Sequence, residues 1–244
     1  MSPDTRQHRG PHPRDSQLFG IDQLAKLRGA TAELSWLLSR GYALASSLKL
    51  VGDRHGLRER QRLAVSRAAC SDESLNRRKQ TCRSIETIRN SHLLIDGFNL
   101  IITIEAALSG GPLLLCRDGC LRDLASVHGS YRSVQETERA LLLTGTALEK
   151  LVAASATWVL DRPVSNSGRL AKKISELAAD RGWPWQVETV YNPDSRLIGS
   201  PDLAVTADSV ILDRVGSWTN LKSYLIRKLP SAPWVLDLAE PVIS

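Results

Sequence analysis

Residues 93 to 108, LLIDGFNLIITIEAAL, constrain the fold most, because a short apolar run ends on an aspartate and passes through a glycine into an amphipathic segment. This pattern predicts a buried strand, a tight turn and a helix. A buried strand needs no polar residue, so packing does not explain Asp96 at its carboxyl end. Open parallel sheets bind ligands beyond the carboxyl ends of their strands. The alternative is that Asp96 only caps the next helix.

Strands and helices alternate from residue 92 onward, which predicts an α/β fold with a mostly parallel sheet flanked by helices. The predicted strands cover residues 93–95, 113–116, 157–160, 185–190, part of 203–212, and 234–238. The predicted helices cover about 101–108, 133–154, 169–180 and 218–228, and SVQE at 133–136 predicts a capping box. Helical spacing over residues 17–91 predicts a small all-α domain. We therefore expect a disordered tail (1–16), a basic helical domain (17–91) and an α/β domain (92–244).

Charge is divided unevenly along the chain. Residues 1–92 contain 17 Lys and Arg against 9 Asp and Glu, a net charge of +8, and the remainder has a net charge of −2, for the total of +6. A basic first part is typical of a protein that meets a polyanion, with RNA favoured over DNA. The arginines considered for this contact are Arg58, Arg62, Arg77 and Arg78. A solvated charged face is the alternative.

No apolar run reaches the roughly 18 to 20 residues that a membrane span needs, and the first fifteen residues lack the apolar centre of a signal peptide. We expect a cytoplasmic protein that does not enter a membrane. The four cysteines lack paired metal-type spacings, so we expect reduced thiols. Homo-oligomerisation stays open.

Three apolar strands end in, or are interrupted by, an acid: Asp96, Asp161 and Asp208. Parallel strands lie about 4.8 Å apart, so acids at equivalent strand ends can reach one metal ion. Without a cation, two such charges 4 Å apart repel by about 4 kcal/mol at an effective dielectric of 20. Oxygen-rich sites suit Mg²⁺ or Mn²⁺, which can activate water for phosphodiester hydrolysis. The loops beside these strands contain further acids at Asp118, Asp123 and Asp202.

The turn formed by Asp96, Gly97, Phe98 and Asn99 resembles the Asp-Gly-x-Asn opening of PIN-like and NYN-like nuclease domains. From about residue 32 to 238 the chain resembles domain-of-unknown-function family 434, which joins a helical amino-terminal domain to a PIN-like carboxyl-terminal domain. The stretches that carry this resemblance are VGDRHGLRERQRLAVSRAACSDE, LLIDGFNLIITIEAAL, CRDGCLRDLASVHGSYR, VLDRPVSNSGRL and VTADSVILD.

The PIN-like resemblance implies that Asp96 is a metal ligand, that Asn99 orients the turn or a phosphate, and that Asp208 is the late-strand acid. Asp161 and Asp202 are further candidate ligands. PIN domains take a second acid from the helix after the first strand, and here the candidate is Glu105, nine residues after Asp96.

Two other stretches contain candidate phosphate or nucleic-acid contacts. Ser165, Asn166 and Ser167 could present a helix amino terminus to a phosphate, or could simply cap that helix. The stretch 117–132 mixes cations with an aromatic ring, as nucleotide sites do, or forms a loop with internal ion pairs. Its candidate residues are Arg117, Arg122, His128, Tyr131 and Arg132.

These features lead to one expected function and two alternatives. We expect a Mg²⁺- or Mn²⁺-dependent nuclease with Asp96, Asp161 and Asp208 in its catalytic site. The first alternative is a non-catalytic module that binds nucleic acid or a nucleotide through a degenerate site. The second is a phosphatase or phosphotransferase, which is disfavoured because Phe98 stands where an Asp-x-Asp pair would need its second acid.

Overall fold

The computed structural model describes residues 8–125 and 131–239. The elements of the first part are α1 (Asp15–Leu18), α2 (Ile21–Leu38), α3 (Leu44–Arg54), α4 (Glu59–Ala68), α5 (Asp72–Thr81), β1 (Cys82–Arg83) and a 3₁₀ turn (Ile85–Ile88). The elements that follow are β2 (His92–Asp96), α6 (Gly97–Leu108), β3 (Leu113–Leu115), β4 (Leu121–Asp123), α7 (Thr137–Lys150), β5 (Ser155–Asp161), α8 (Ser167–Arg181), β6 (Trp185–Val190), α9 (Pro193–Ile198), β7 (Leu203–Val205), α10 (Ser209–Leu212), β8 (Trp218–Thr219), α11 (Leu221–Arg227) and β9 (Val235–Asp237).

The predicted α/β fold is confirmed. Six strands form one sheet in the order β1-β8-β7-β2-β5-β6, and every neighbouring pair is parallel. Because side chains alternate between the faces of a strand, Leu93 and Ile95 enter one apolar cluster with residues of α6, α7 and α8. Leu94 enters the cluster on the other face with residues of α9 and α10. Helices thus cover both faces of the central strand β2.

A second sheet was not expected. β3 pairs antiparallel with β4 and parallel with β9, so two predicted strands belong to a separate three-stranded sheet. The helical region packs against that sheet. Leu27 and Leu34 of α2 share an apolar cluster with Leu114 of β3 and Leu236 of β9. The all-α region and the α/β region therefore have a common core, and β1 of the first region joins the large sheet.

The beginning of the described chain is anchored, although we expected residues 1–16 to form a disordered tail. Arg9 is 7% exposed and forms an ion pair with the fully buried Glu105. Asp15 is also fully buried and accepts a hydrogen bond of 2.8 Å from Nη2 of Arg60 in α4. A buried charge is unfavourable without a partner, so these ion pairs fix residues 9 to 15 against the rest of the protein.

The structure agrees with the sequence at the end of α8 and differs from the prediction at the start of α7. Gly182 adopts φ 65° after α8, in the left-handed conformation that glycine tolerates and that often ends helices. The capping box expected at 133–136 is wrong, because the cap residue Glu136 makes no side-chain capping bond and α7 begins at Thr137. Within the described ranges, no helix combines the length and apolar character required to cross a membrane.

Candidate functional site

The carboxyl edge of the large sheet opens into a cleft of about 550 Å³. Asp96, Asp161 and Asp208, the three aspartates singled out in the sequence, all line it. In the sheet register, Val205 and Trp158 lie opposite Ile95 of the central strand. Asp161 and Asp208 each come three residues after those partners, one on either side of β2. The common strand direction therefore brings the three acids to one side of the sheet.

The carboxylate of Asp96 caps α6 and also accepts a hydrogen bond from outside that helix. One oxygen accepts a long bond of 3.4 Å from the backbone nitrogen of Asn99, which caps α6. The other oxygen accepts a 2.8 Å bond from the hydroxyl of Thr206. The pKa of Asp96 is raised to about 6, mainly by burial and also by the negative charge of Asp208, while Thr206 and the ammonium of Lys222 oppose the shift. Helix capping therefore does not account for the whole environment of Asp96.

Asp208 is tied to Asp96 through Thr206. The Thr206 hydroxyl that donates to Asp96 also accepts a 3.0 Å bond from the backbone nitrogen of Asp208. One Asp208 oxygen accepts bonds from the first backbone nitrogens of α10, Val210 at 2.8 Å and Ile211 at 3.3 Å. These contacts orient the carboxylate of Asp208 and hold it beside that of Asp96.

The side of the cleft formed by β5 and α9 contributes two further acids. Oδ1 of Asp161 is buried and has no hydrogen-bond partner among the described residues, and burial raises the pKa of Asp161. Asp194, at the start of α9, also lines the cleft. Its pKa is raised by burial and then by the charges of Asp208 and Asp161. The negative charge of Asp208 thus acts on both Asp96 and Asp194, and that of Asp161 acts on Asp194.

A buried lysine faces this acidic group. Lys222 of α11 lines the cleft and is only 3% exposed. Its Nζ donates a 2.6 Å hydrogen bond to Oδ1 of Asn99, which also accepts a 2.9 Å bond from the backbone nitrogen of Ala207. Burial lowers the pKa of Lys222 to about 8, although the charges of Asp123 and Asp96 oppose the shift. An ammonium has three donors, and only one is used within the described chain.

Sequence reasoning missed Asp194 and Lys222, although a signal exists for each. Asp194 follows Asn192 and Pro193 directly after β6, where a capping residue and a proline mark a new helix start at the carboxyl edge of the sheet. Lys222 occupies a position of the α11 stripe shared with Leu225, Ile226 and Leu229, at the i, i+3, i+4 and i+7 spacing of a buried helix face. A lysine on such a face needs a polar partner inside the protein.

The donor set is composed of carboxylate, amide and hydroxyl oxygens, which suits Mg²⁺ or Mn²⁺. Among residues 8–125 and 131–239, no group of three or more His, Cys, Asp or Glu side chains is arranged to hold a metal ion. Mg²⁺ usually keeps several waters and binds one or two carboxylates together with substrate phosphates. The linked pair Asp96 and Asp208, with the unpaired oxygen of Asp161, fits such a hydrated ion and does not fit an all-protein cage.

Two acids considered for the site lie elsewhere. Asp202 is not part of the cleft lining, and its carboxylate accepts a 3.0 Å bond from the Ser200 hydroxyl. Glu105 is fully buried against Arg9, and Tyr131 and Thr137 donate hydrogen bonds to it. Nine residues are two and a half helical turns, so α6 directs Glu105 away from Asp96. Both are corrections to the expected ligand set.

Four of the arginines expected at a nucleic-acid surface form ion pairs within the protein, which are buried for Arg78 and Arg122 and exposed for Arg62 and Arg117. Arg78 and Arg122 each donate a 2.6 Å bond to Asp118, whose side chain is 1% exposed. Arg62 donates to Asp53 at 2.8 Å, and Arg117 donates to Asp72 at 2.5 Å. Buried guanidinium groups require such partners, and the sequence does not reveal which carboxylates will supply them. Arg58 and Arg77 are exposed and form no ion pair within the described ranges.

The loop before α8 uses its polar groups internally. Asn166 adopts φ 69° and donates a 2.8 Å bond to the carbonyl oxygen of Tyr131. The buried Ser167 donates to the carbonyl oxygen of Arg162 at 3.3 Å, and Ser165 is exposed. None of the three serine and asparagine side chains lines the acidic cleft. His128, one of the candidates in the stretch 117–132, lies outside the described residues.

The helical region supplies part of the cleft wall. Leu44, Ser66 and Arg67 line the cleft together with the acids of the α/β region. Arg67 is held in place by hydrogen bonds of 2.5 Å to the carbonyl oxygen of Asp123 and 3.0 Å to that of Ala125. The cleft is therefore formed by both regions of the chain, with the aspartates and Lys222 from the α/β region and Arg67 from the helical region.

Comparison with known proteins agrees with this division. Residues 85–224 match the family model described as "Domain of unknown function (DUF5616)", and residues 26–81 match the one described as "Protein of unknown function (DUF434)". The chain is 32% identical over 183 residues to "Uncharacterized protein MJ0935" of Methanocaldococcus jannaschii, covering 75% of this chain and 87% of that protein. No solved structure matches the chain. The chain belongs to the family that joins an amino-terminal DUF434 region to a carboxyl-terminal DUF5616 domain.

Proposed function

We propose that this protein is a Mg²⁺- or Mn²⁺-dependent nuclease with a PIN-like catalytic site, and that it hydrolyses phosphodiester bonds, preferably in RNA. One observation carries the proposal: Asp96, Asp161, Asp194 and Asp208 converge on one cleft at the carboxyl edge of the sheet, beside the buried Lys222. Repulsion among these carboxylates disfavours their convergence unless a cation offsets it. The charge of Asp208 raises the pKa of Asp96 and of Asp194, and a cation bound between these groups would offset that repulsion.

Asp96 and Asp208 would hold the metal ion, and Asp161 has an oxygen left to bind a metal-bound water or the ion itself. When bound, Mg²⁺ or Mn²⁺ supplies Lewis acidity and a hydroxide nucleophile at neutral pH. Thr206 keeps the Asp96 and Asp208 carboxylates in a fixed relation to each other. Such prior positioning reduces the reorganisation needed at the moment of reaction.

Lys222 and Asn99 have a separate role in this proposal. The Lys222 ammonium has two donors left for an anionic oxygen of the substrate, and Asn99 fixes its position. Burial strengthens the interaction between an ammonium and a phosphate, because little water competes for either group. Lys222 would therefore bind the phosphate that is cut and offset the negative charge that develops on it.

The test is a cleavage assay on single-stranded RNA, single-stranded DNA and their duplexes, with Mg²⁺, with Mn²⁺ and with EDTA. We expect cleavage of single-stranded RNA that requires a divalent ion. Purified protein that cuts none of these substrates with either ion, or that cuts equally well in EDTA, would contradict the proposed function.

The exposed arginines of the helical region lead to a prediction about salt dependence. Arg58→Gln combined with Arg77→Gln should lower the slope of log affinity against log salt for single-stranded RNA by about 1.4, because each lost phosphate contact of a single strand contributes about 0.7. Lys172→Gln combined with Arg169→Gln removes the same charge from the exposed face of α8 and should leave the slope unchanged. An equal effect of the two pairs would indicate that only net charge matters.

A second candidate is a module that binds nucleic acid or a nucleotide without cutting it. The position of Lys222 favours this candidate, because the charges of Asp123 and Asp96 act on its ammonium. In this reading the ammonium takes the place of a metal ion. In that case Lys222 completes a degenerate site and leaves no role for a divalent cation.

Titration calorimetry with Mn²⁺ on wild type and on the Lys222→Met variant distinguishes the nuclease from the module that binds without cutting. We expect wild type to bind Mn²⁺ and the variant to bind it at least as tightly, because a competing positive charge is removed, while cleavage falls at least about tenfold. The matched control is Lys228→Met at the end of the same helical segment, where the exposed lysine lies over the Tyr224 ring and away from the cleft lining. Mn²⁺ binding that appears only in Lys222→Met would contradict the nuclease and support the degenerate site.

A further inference from the structure

An exposed aromatic ring stands at the carboxyl end of the edge strand β6. Tyr191 directly follows Val190, the last residue of that strand, and is 73% exposed. Single exposed aromatic residues are common and need no explanation by themselves. Tyr191 differs because a cation is placed over its ring and because Pro193 and Asp194, two and three residues later, line the acidic cleft.

The cation is Arg162, whose guanidinium carbon lies 5.0 Å from the centre of the Tyr191 ring. Arg162 is exposed and forms no ion pair within residues 8–125 and 131–239. Its backbone nitrogen donates a 2.8 Å hydrogen bond to the carbonyl oxygen of Val190, so the two strand ends hold the pair together. An arginine and a tyrosine in contact offer an aromatic face and a positive charge side by side.

This pair lies at the same edge of the sheet as Asp161, outside the lining of the cleft. Asp161, the residue before Arg162, is the register partner of Val190, the residue before Tyr191. Neighbouring strands are about 4.8 Å apart, and consecutive Cα atoms are about 3.8 Å apart. Successive nucleotides of a strand rise by about 3.4 Å in a duplex and extend further when unstacked. The pair is therefore within one or two nucleotides of a phosphate bound in the cleft.

We propose that Tyr191 and Arg162 form a subsite for one unpaired nucleobase and its phosphate, next to the bond that the cleft would cut. The proposal rests on the proposed nuclease function and deepens it by assigning the residues that would distinguish single-stranded from duplex nucleic acid. The base stacks on the Tyr191 ring, and Arg162 contacts the adjoining phosphate. Bases within a duplex are already stacked on each other, so a duplex cannot use the ring.

The experiment measures binding of a fluorescein-labelled twelve-nucleotide oligoadenylate RNA by fluorescence anisotropy, in EDTA so that no cleavage occurs. Tyr191→Ala should weaken binding by about tenfold, because loss of one stacked base typically has an effect of this size or larger. Tyr191→Phe keeps the ring and should bind as wild type does. Arg162→Gln should weaken binding and lower the salt slope by about 0.7, the contribution of one phosphate contact of a single strand.

Two control ligands isolate the stacking contact. An abasic RNA of the same length and the matched duplex should bind wild type and Tyr191→Ala equally. Equal binding of oligoadenylate by those two proteins, no binding by wild type, or an equal loss for the abasic RNA would each overturn the subsite. Failure of the nuclease proposal is recognised separately, because it removes metal-dependent cleavage and leaves the binding differences measured in EDTA intact.

Discussion

Asp96→Asn should reduce metal-dependent cleavage at least about a hundredfold, because even the loss of an outer partner of a metal ligand typically reduces affinity or activity by ten- to a hundredfold. An amide has no net charge to offset that of the cation, yet it has the shape of the carboxylate and caps α6 about as well. The measurement is the cleavage rate at saturating Mn²⁺. Asp202→Asn is the matched control, since Asp202 lies off the cleft lining and its replacement should leave cleavage unchanged.

The same variant should not be less stable at neutral pH. The pKa of Asp96 is raised from 3.8 to about 6, so ionisation of this group disfavours the folded protein. Its contribution to the free energy of unfolding falls as pH rises from about 4 to about 6, by no more than about 3 kcal/mol. The Asp96→Asn variant has no ionisable group at this position, so its free energy of unfolding does not include this fall. Denaturant unfolding at pH 4, 5, 6 and 7 without metal checks it, and a variant that is less stable at pH 7 would contradict the assigned environment.

Asp118→Asn should destabilise the fold by about 3 to 5 kcal/mol, the usual effect of breaking a buried ion pair. Asp118 accepts hydrogen bonds from both Arg78 and Arg122, and these guanidinium groups would keep their charge after the substitution. Arg78 also bonds Asp213, so the network joins α5, the loop after β3 and the end of α10. The measurement is denaturant unfolding at pH 7.

The control and the pH dependence make this prediction specific. Asp53→Asn removes an exposed partner of Arg62 and should not change stability measurably. The arginines hold the pKa of Asp118 at about 2, below its ordinary 3.8, so its contribution is present above pH 4 and is lost as pH falls toward 2. An Asp118→Asn protein as stable as wild type would show that Arg78 and Arg122 are not structural cations.

The parts of the fold that could be predicted from the sequence are those determined by residues close together in the chain. The predicted strand 185–190 coincides with β6, and the predicted helix that stops before Gly182 is α8, because an apolar run and a glycine act through neighbouring residues. The small sheet was missed because β3 pairs with β9 more than a hundred residues later, and no local pattern encodes that partner.

The residues of the candidate site likewise divide into those that local sequence predicts and those that depend on distant parts of the chain. Asp96, Asp161 and Asp208 were predictable because each interrupts or ends an apolar strand, and parallel strands place such residues on one edge. Arg78 and Arg122 were wrongly expected at a surface because burial and pairing depend on distant carboxylates. Glu105 could have been excluded from its helical phase alone, whereas the position of Lys222 in the cleft depends on how α11 packs beside α6.

A crystal structure with Mn²⁺, in which anomalous scattering locates the ion, tests the central claim most directly. The account predicts one strong anomalous peak in the cleft within bonding distance of the Asp96 or Asp208 carboxylates, about 2.1 to 2.2 Å, and no such peak in Asp96→Asn. A wild-type cleft without an anomalous peak at saturating Mn²⁺, or a peak bound only by residues outside this group of acids, would contradict it.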